Sequence, residues 1–539
     1  MRAQRSTSLR GEAALGISLL LLAATALWVS TPARAADAPT AQAAREDDLA
    51  ALRALIGGGA DVNVAARDGS TALLWAAYHS HADMVEALIA AGAKADVPNK
   101  YGVTPLLQAS RTGDAAVIAA LLDGGADLAL THPDGETPLM AAARAGRVDA
   151  VRLLLERGAD PNTADSFQQQ TALMWAAAEG HAAVIDVLLT AGANPNLQAR
   201  ISTLTERKNA DYPSGGFTAL MWAARNGHDG IVRGLAEAGA DLSMRNGDGA
   251  TAAMLAVVND RFDLAAMLIE LGADANDGSL YYAMEMRDAT TDWYARDGSK
   301  LRADHPNDNT ALDLIALLLD NGADPNKTFT GQMHSSSMCC DTRANSTPLY
   351  RAAVAADVEA LKLLIEHDAD LEWSPTSVEG GGPGANSNVG RTPLMAALRG
   401  GRGVPISAGP GYSREGPPPF REPSNREPAA AVALLVAAGA NVDAVDPKGA
   451  TALHQAVELR KIGLIKALTG GGADLLARNA DGLTAMDLAE RLQPIEPNAN
   501  PFGPPRDLDG ASPEEVVAVL REAMQAAGVP VETHAAVND

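Results

Sequence analysis

Short apolar runs alternate with polar turns along most of the chain, and their arrangement repeats. In the unit spanning residues 134–162, one apolar run follows Thr137-Pro138, and a second precedes the tripeptide Gly158-Ala159-Asp160. Thr137 is suited to cap a helix that begins at Pro138. Gly146 and Gly158 can end helices in the left-handed conformation. The pattern therefore predicts two short helices joined by a tight turn.

The Gly-Ala-Asp tripeptide, or a near copy of it, returns along the chain, usually 33 residues apart. A fixed period of this size predicts a stacked array, in which each unit buries its apolar face against its neighbours. A chain made almost entirely of such repeats is also not expected to be an enzyme. The copies begin at Gly59, Gly92, Gly125, Gly158, Gly192, Gly239, Gly272, Gly322, Asp368, Gly439 and Gly472.

The unit resembles the ankyrin repeat. Its Thr-Pro-Leu or Thr-Ala-Leu motif begins at Thr71, Thr104, Thr137, Thr171, Thr218, Thr347, Thr392 and Thr451. A Gly-His pair stands at Gly180-His181 and at Gly227-His228. The resemblance implies an all-α solenoid, an ankyrin-repeat array of about eleven helix-turn-helix units over residues 41–528. It also implies short β-hairpin fingers, several long loop insertions and recognition of other proteins along a concave surface.

One position departs from the family pattern. The histidine usual after Thr-Pro-Leu survives only at His454, and apolar residues replace it elsewhere. In the family this histidine makes local structural hydrogen bonds. We therefore expect its replacement to leave the fold intact.

The first 35 residues are typical of a signal peptide. Arginines near the N-terminus precede an apolar stretch, residues 15–29, and an Ala33-Arg34-Ala35 cleavage site. The alternative is an uncleaved N-terminal anchor. We expect a periplasmic or secreted protein without a stable membrane span after cleavage, similar to exported bacterial ankyrin-repeat proteins.

The chain is acidic, with a net charge of −24 and a pI near 4.8. Because phosphate binding needs clustered Lys or Arg, this charge argues against nucleic acid as a partner. It favours a protein partner with a basic surface, or else serves to keep a long monomeric array soluble.

The spacing divides the chain into segments. We expect a signal peptide over residues 1–35, an N-terminal capping repeat over 41–67, regular repeats over 68–198 and repeats with insertions over 199–492. A linker and capping helix should follow over 493–528, and a disordered tail over 529–539. Within the capping repeat, residues 41–56 should form a polar-faced first helix. Insertions at 199–215, 327–345 and 372–389 should interrupt fingers, and those at 289–308, 401–428 and 493–511 should separate the two helices of one repeat.

Three tryptophans, Trp75, Trp175 and Trp222, occupy one equivalent position on the first helix of their repeats. Tyr78 and Arg225 follow two of them by three residues, on the same helical face. One interpretation is that the tryptophans fill core space beside small alanines. The other is that the five residues bind a partner protein, since Trp, Tyr and Arg dominate interface hot spots.

The only two cysteines, Cys339 and Cys340, lie in a loop with His334 and Met338. In an oxidising compartment they could form a vicinal disulfide or pair with another chain. They could also be incidental. As a third alternative, the four side chains are soft ligands that suit Cu(I), and they would make the protein a redox- or copper-linked accessory.

Motifs of catalysis are missing from the sequence. We find no Gly-x-Ser-x-Gly elbow, no phosphate-binding Gly-x-x-x-x-Gly-Lys and no His-Glu-x-x-His. The main prediction is therefore an exported scaffold that mediates protein–protein interaction through its groove and fingers, without catalytic residues and without a cofactor.

Overall fold

The computed structural model describes residues 38–203, 213–288, 306–328, 346–376, 389–398, 427–494 and 510–530. These residues form an all-α solenoid of helix pairs, as predicted. They contain twelve pairs, because the pair at the C-terminus is not followed by a copy of the tripeptide.

In each pair a first helix is followed by a second helix. The pairs are α1 Pro39–Arg45 and α2 Leu49–Gly57, α3 Ala72–Tyr78 and α4 Ala82–Ala90, α5 Pro105–Thr112 and α6 Ala115–Asp123, α7 Pro138–Arg144 and α8 Val148–Glu156, α9 Ala172–Glu179 and α10 Ala182–Thr190, α11 Ala219–Asn226 and α12 Asp229–Glu237, α13 Ala252–Val258 and α14 Phe262–Glu270, α15 Ser279–Asp288 and α16 Ala311–Asp320, α17 Pro348–Ala355 and α18 Val358–Glu366, α19 Pro393–Ala397 and α20 Pro428–Ala437, α21 Ala452–Glu458 and α22 Ile462–Gly470, and α23 Ala485–Glu490 and α24 Pro513–Ala526.

The ends of the helices follow from the residues that cap them. The Thr137 hydroxyl accepts a hydrogen bond from the Met140 N–H (3.1 Å), and Pro138 occupies the first turn. Ser512 caps α24 in the same way, together with Glu515. Gly146 and Gly158 have φ of 70° and 97°, so both end helices in the left-handed region.

The first pair differs from its prediction. Residues 41–56 do not form one helix, since α1 ends at Arg45 and α2 begins at Leu49. Asp47 between them has φ of 56°, which breaks the helix, and the Asp48 carboxylate caps α2 by accepting from the Ala51 N–H (2.8 Å). A row of polar residues at 46–48 thus marks a turn.

Small residues allow the first helices to stack closely. Each first helix packs against the next one along the chain, and the alanines at their contacts are fully buried. Leucine and other aliphatic side chains of the second helices, such as Leu154 and Leu188, close the core from the other side. The core is one continuous cluster from Ala43 to Met524.

Fingers between the pairs are tight turns that bond to one another. The Lys100 N–H donates to the Asp68 carbonyl (2.9 Å), and the Ser166 N–H to the Asp134 carbonyl (3.1 Å). In the finger between α10 and α11, strand β1 (Ile201–Thr203) pairs antiparallel with β2 (Pro213–Gly215).

An asparagine ladder joins successive repeats at the tripeptide loops. The asparagine four residues after the start of a tripeptide donates from Nδ2 to the carbonyl of the first residue of the next tripeptide. Its Oδ1 accepts from the N–H of the third residue. The residues that make both bonds are Asn63, Asn162, Asn196, Asn276 and Asn326.

At three other loops an acidic residue, Asp96, Glu372 or Asp443, makes only the bond that accepts from the N–H of the third residue. Both bonds are missing at two places within the described residues, where Ala129 and Ser243 occupy the equivalent position. The Ser243 hydroxyl instead donates to Asp241 of its own loop (2.6 Å). An open cleft of about 520 Å³ lies there, bordered by Leu271, Gly272 and Asp274 of the next loop.

The helix bounds locate the inserted segments. Residues 199–215, 327–345 and 372–389 fall between pairs, whereas 289–308, 401–428 and 493–511 fall largely between the two helices of one pair. Within the described ranges, no helix combines the length and the hydropathy needed to cross a bilayer.

Candidate protein-binding face

Two positions recur on the first helices of pairs one to nine. We number them from the residue that caps the helix: row four is the fourth residue after the cap, and row seven is the seventh. These positions lie one helical turn apart and share a face. In α1, α3, α5, α7, α9 and α11, row four holds Gln42, Trp75, Gln108, Ala141, Trp175 and Trp222, and row seven holds Arg45, Tyr78, Arg111, Arg144, Ala178 and Arg225.

The three tryptophans of row four are half-buried. Trp75, Trp175 and Trp222 pack against the core without belonging to its fully buried part. The indole Nε1 atoms of Trp75 and Trp222 are buried and have no hydrogen-bond partner among the described residues. The rings are therefore held by packing and by their neighbours in row seven, so they border both the core and the open face.

An arginine guanidinium lies over each of these indoles. Arg45 Cζ lies 5.6 Å from the Trp75 ring centroid, Arg144 Cζ lies 5.2 Å from that of Trp175, and Arg225 Cζ lies 5.5 Å from that of Trp222. These distances are within the range of cation–π attraction.

Phe217 extends the third cluster. Its ring is 4.7 Å from the Trp222 ring, and Arg225 also covers it at 5.7 Å. We call these eight residues the arginine–aromatic face: Arg45, Trp75, Tyr78, Arg144, Trp175, Phe217, Trp222 and Arg225.

The sequence had indicated five of the eight residues. It missed Arg45, Arg144 and Phe217, because two of the arginines come from a helix in an earlier repeat than the tryptophan they cover. The signal that could have revealed them is the recurrence of arginine in row seven of α1, α5, α7 and α11.

The following repeat fixes the end of the helix that carries each arginine. The imidazole Nε2 of His79 lies 3.0 Å from the Arg45 carbonyl, and that of His181 lies 3.0 Å from the Arg144 carbonyl. The Arg261 Nε donates to the Arg225 carbonyl (3.2 Å). The Gly-His histidine His181 is thus structural, since it satisfies a carbonyl at the end of a helix.

Exposed aromatic side chains continue the face toward the fingers. Tyr78 is 55% exposed, and its ring contacts that of Trp75 edge-on at 5.6 Å. Tyr101 and Phe167, on two fingers, are 71% and 67% exposed. Tyr78 lies on α3 with Trp75, Tyr101 on the finger that precedes α5, and Phe167 on the finger that precedes α9, which carries Trp175.

One carboxylate on this face is already neutralised. Glu136 accepts a hydrogen bond from Arg111 Nη2, and its other oxygen lies 3.7 Å from Arg144 Nη1. Arg45 and Arg225 form no ion pair within the part of the chain that the structure describes. The unbalanced charge of the face is positive.

In α13, α15 and α17 the same rows have a different chemistry. Row four holds Leu255, Tyr282 and Arg351, and row seven holds Val258, Glu285 and Val354, none of them exposed. The charged members pair with one another: Arg351 Nε lies 2.6 Å from Glu285 Oε1, and Arg351 Nη2 donates to Oε2 at 3.2 Å.

Neighbouring groups complete this second, closed network. The Tyr281 hydroxyl donates to Glu285 (3.0 Å), and burial, reinforced by the Glu285 charge, raises the pKa of Tyr281. Arg287 pairs with Asp357, which caps α18, and with Glu359 on α18. Burial raises the pKa of Tyr350 to about 12, so this phenol stays neutral at physiological pH.

Several predicted site residues lie outside the described residues. They are His334, Met338, Cys339 and Cys340, together with most of the 327–345 segment. The signal peptide and residues 531–539 of the predicted tail lie outside them as well. Across the described ranges, no group of three or more His, Cys, Asp or Glu side chains is arranged to hold a metal ion.

Comparison with known proteins agrees with the repeat pattern. A family model of ankyrin repeats in three copies matches residues 41–132, 118–199 and 201–279. The chain is also similar to the human ASB11 ankyrin repeat domain (28% identity, TM-score 0.36, covering 41% of this chain and 92% of that one). It is similar as well to the ankyrin repeat domain of Bcl-3, a member of the IkappaB protein family (27% identity, TM-score 0.37, covering 43% of this chain and 98% of that one).

Proposed function

We propose that this ankyrin-repeat solenoid is an exported, non-enzymatic, monomeric scaffold that binds another protein through its arginine–aromatic face and the adjoining fingers. The observation that supports this most is the run of Arg, Trp and Tyr side chains on the first helices of pairs one to six. These residue types carry most of the binding energy in protein interfaces.

The architecture supports the same proposal. Stacked repeats present an extended surface along their first helices, and repeat proteins use such surfaces for binding. The aromatic anchors and arginines stand on helices whose ends are fixed by caps and by the next repeat, as Asn226 fixes α9 through the Ala178 carbonyl and His181 fixes α7 through the Arg144 carbonyl. A surface held rigid in this way loses little conformational entropy when a partner binds.

Export is the part of the proposal that rests on sequence alone. Residues 1–35 have the basic start, apolar stretch and small-residue cleavage site of a secretory signal. Cell fractionation tests it: a chain found in the cytoplasm with its first residues intact would contradict export.

A capture experiment with paired variants tests the binding site. The full chain is used to retain partners from an envelope extract of its source cells. We expect a defined partner to be retained by the wild type and lost with a Tyr78→Ala/Arg225→Ala variant. Both side chains are exposed, so their removal should leave the fold intact.

The matched control changes exposed arginines on the second helices, Arg152→Ala/Arg233→Ala. It should retain the partner at the wild-type level. Equal retention by both variants would show that the partner does not use the arginine–aromatic face.

A further inference from the structure

We propose that the arginine–aromatic face binds an extended partner segment that carries carboxylate side chains. This inference rests on the proposed function and specifies the chemistry of its partner. It depends on three guanidinium groups, those of Arg45, Arg144 and Arg225, and on the indoles beneath them.

The indoles leave the donor groups of the arginines available. The guanidinium Cζ atoms lie 5.2–5.6 Å from the indole centroids, and an indole ring has no hydrogen-bond acceptor for the N–H donors along the guanidinium edge. Carboxylates fit that edge with two parallel hydrogen bonds. Arg45 and Arg225 form no ion pair with any carboxylate of the described ranges, and both are exposed.

The surroundings strengthen an ion pair formed here. Half-buried rings such as Trp175, Trp222 and Phe217 exclude water from one side of each guanidinium. Coulombic attraction grows as the local dielectric falls, and a stacked side chain loses less rotamer freedom on binding than a free one. Ion pairs on this face should therefore contribute more than ordinary surface pairs.

The arginine–aromatic face carries positive charge, whereas the whole chain has a net charge of −24. Glu136, which lies just before the cap of α7, forms ion pairs with Arg111 and Arg144. Near Arg45, hydrogen bonding from the Ser70 N–H, with a smaller contribution from the arginine charge, lowers the pKa of Asp68. The total charge predicts a basic partner, but the charge at the site favours an acidic one, because ionic interactions are screened beyond about 8 Å at physiological salt.

The spacing of the arginines limits the partner sequence. Arg144 lies on α7 and Arg225 on α11, two steps apart along the stack of first helices. Packed helices lie about 8–10 Å apart, and an extended chain rises about 3.3 Å per residue. Two acidic residues about five or six positions apart would reach both arginines, with apolar residues between them over Trp175 and Trp222.

Single-stranded nucleic acid is the main competing ligand, since it also uses aromatic and arginine side chains. It requires a continuous basic track along its phosphates. Here Ala141 and Ala178 interrupt the rows, and Glu136 already occupies Arg111. The arrangement therefore favours a protein segment.

Selection from a random peptide display library on the immobilised full chain tests the inference. We expect the selected peptides to carry pairs of Asp or Glu. Converting those acids to Asn or Gln should weaken binding at least about tenfold in fluorescence anisotropy. Arg144→Ala/Arg225→Ala should cause a similar loss, and Arg152→Ala/Arg233→Ala less than about twofold, with circular dichroism confirming that each variant is folded.

The outcomes separate this inference from the proposed function. Selected peptides that lack acidic residues but lose binding in the Tyr78→Ala/Arg225→Ala variant would overturn the acidic partner and leave the binding face standing. Binding that responds to no variant of the face would overturn both. Tighter binding of a twelve-residue oligodeoxythymidine than of the acidic peptides would favour nucleic acid instead.

Discussion

The first-helix rows of pairs one to six and of pairs seven to nine have the same backbone positions but opposite chemistry. In the first region, Arg45, Arg144 and Arg225 are exposed and contact aromatic rings. In the second, Arg351 and Glu285 are removed from solvent and pair with each other. Charged residues at one repeat position can therefore either stay exposed beside aromatic rings or pair with each other inside the stack.

The two regions meet where the asparagine ladder lacks a rung. Ser243 ends the last loop of the first region, and the cleft of about 520 Å³ opens between that loop and Gly272. The change in surface chemistry thus coincides with a weaker link between repeats.

The largest difference in the free energy of unfolding should appear between two variants, each of which removes one arginine from one of the two regions. Arg351→Ala leaves the Glu285 carboxylate without its main counter-charge in a buried site, which should lower the free energy of unfolding by about 3 kcal/mol. Arg225→Ala removes only the exposed cation–π contacts with Trp222 and Phe217, and should cost about 1 kcal/mol. Urea unfolding followed by tryptophan fluorescence measures both.

If Arg351→Ala and Arg225→Ala lowered the free energy of unfolding by similar amounts, the distinction between the exposed arginines of the first region and the internally paired ones of the second would be contradicted. A Glu285→Gln/Arg351→Met variant sharpens the test. Because it removes both charges together, it should recover much of the stability that Arg351→Ala loses.

A smaller difference in stability is expected between alanine variants at two glycines of the first region that have left-handed backbone conformation. A methyl group added at Gly146 would lie 2.7 Å from the His181 ring, which holds the Arg144 carbonyl, whereas one added at Gly158 meets no atom within 4 Å. Gly158→Ala carries the backbone cost of about 1 kcal/mol, and Gly146→Ala should exceed it by roughly another 1 kcal/mol from the clash.

Thermal unfolding measures the glycine pair. Gly146→Ala should also weaken partner binding, since it displaces the end of the helix that carries Arg144. Equal stability of the two variants would mean that the contact with His181 does not restrain this helix.

The smallest expected effect is a gain in stability at the junction of the two regions. Ser243→Asn supplies the side chain that elsewhere bonds to the next tripeptide, here to the Gly272 carbonyl and the Asp274 N–H. Two partly exposed hydrogen bonds should stabilise the junction of the two regions by about 0.5–1 kcal/mol. Ala129→Asn is the matched change inside the first region.

Hydrogen exchange of the 239–274 segment reports the Ser243→Asn effect directly. Slower exchange there, with no change around Ala129, is expected. Unchanged exchange would show that the cleft does not weaken the junction.

The repeated helix pairs could be predicted from the sequence because their determinants are local. Thr137 and Pro138 begin a helix, and Gly146 and Gly158 end the two helices, through contacts within a few residues. The wrong prediction for the first pair has the same origin: the polar run at 46–48 is compatible with the exposed side of a helix, but Asp47 and Asp48 form a turn and a cap. Tryptophan spacing likewise indicated Trp75, Trp175 and Trp222.

The surroundings of these tryptophans depend on how the helices stack. Arg45 and Arg144 reach the indoles from the preceding helices of the stack, and Arg351 meets Glu285 across 66 residues that include two insertions. Such pairings depend on how the helices align as they stack, and the insertions remove the constant period that would give this alignment. Local caps and turns encode the repeated unit, whereas the stacking of the helices sets which charges are paired and which stay exposed.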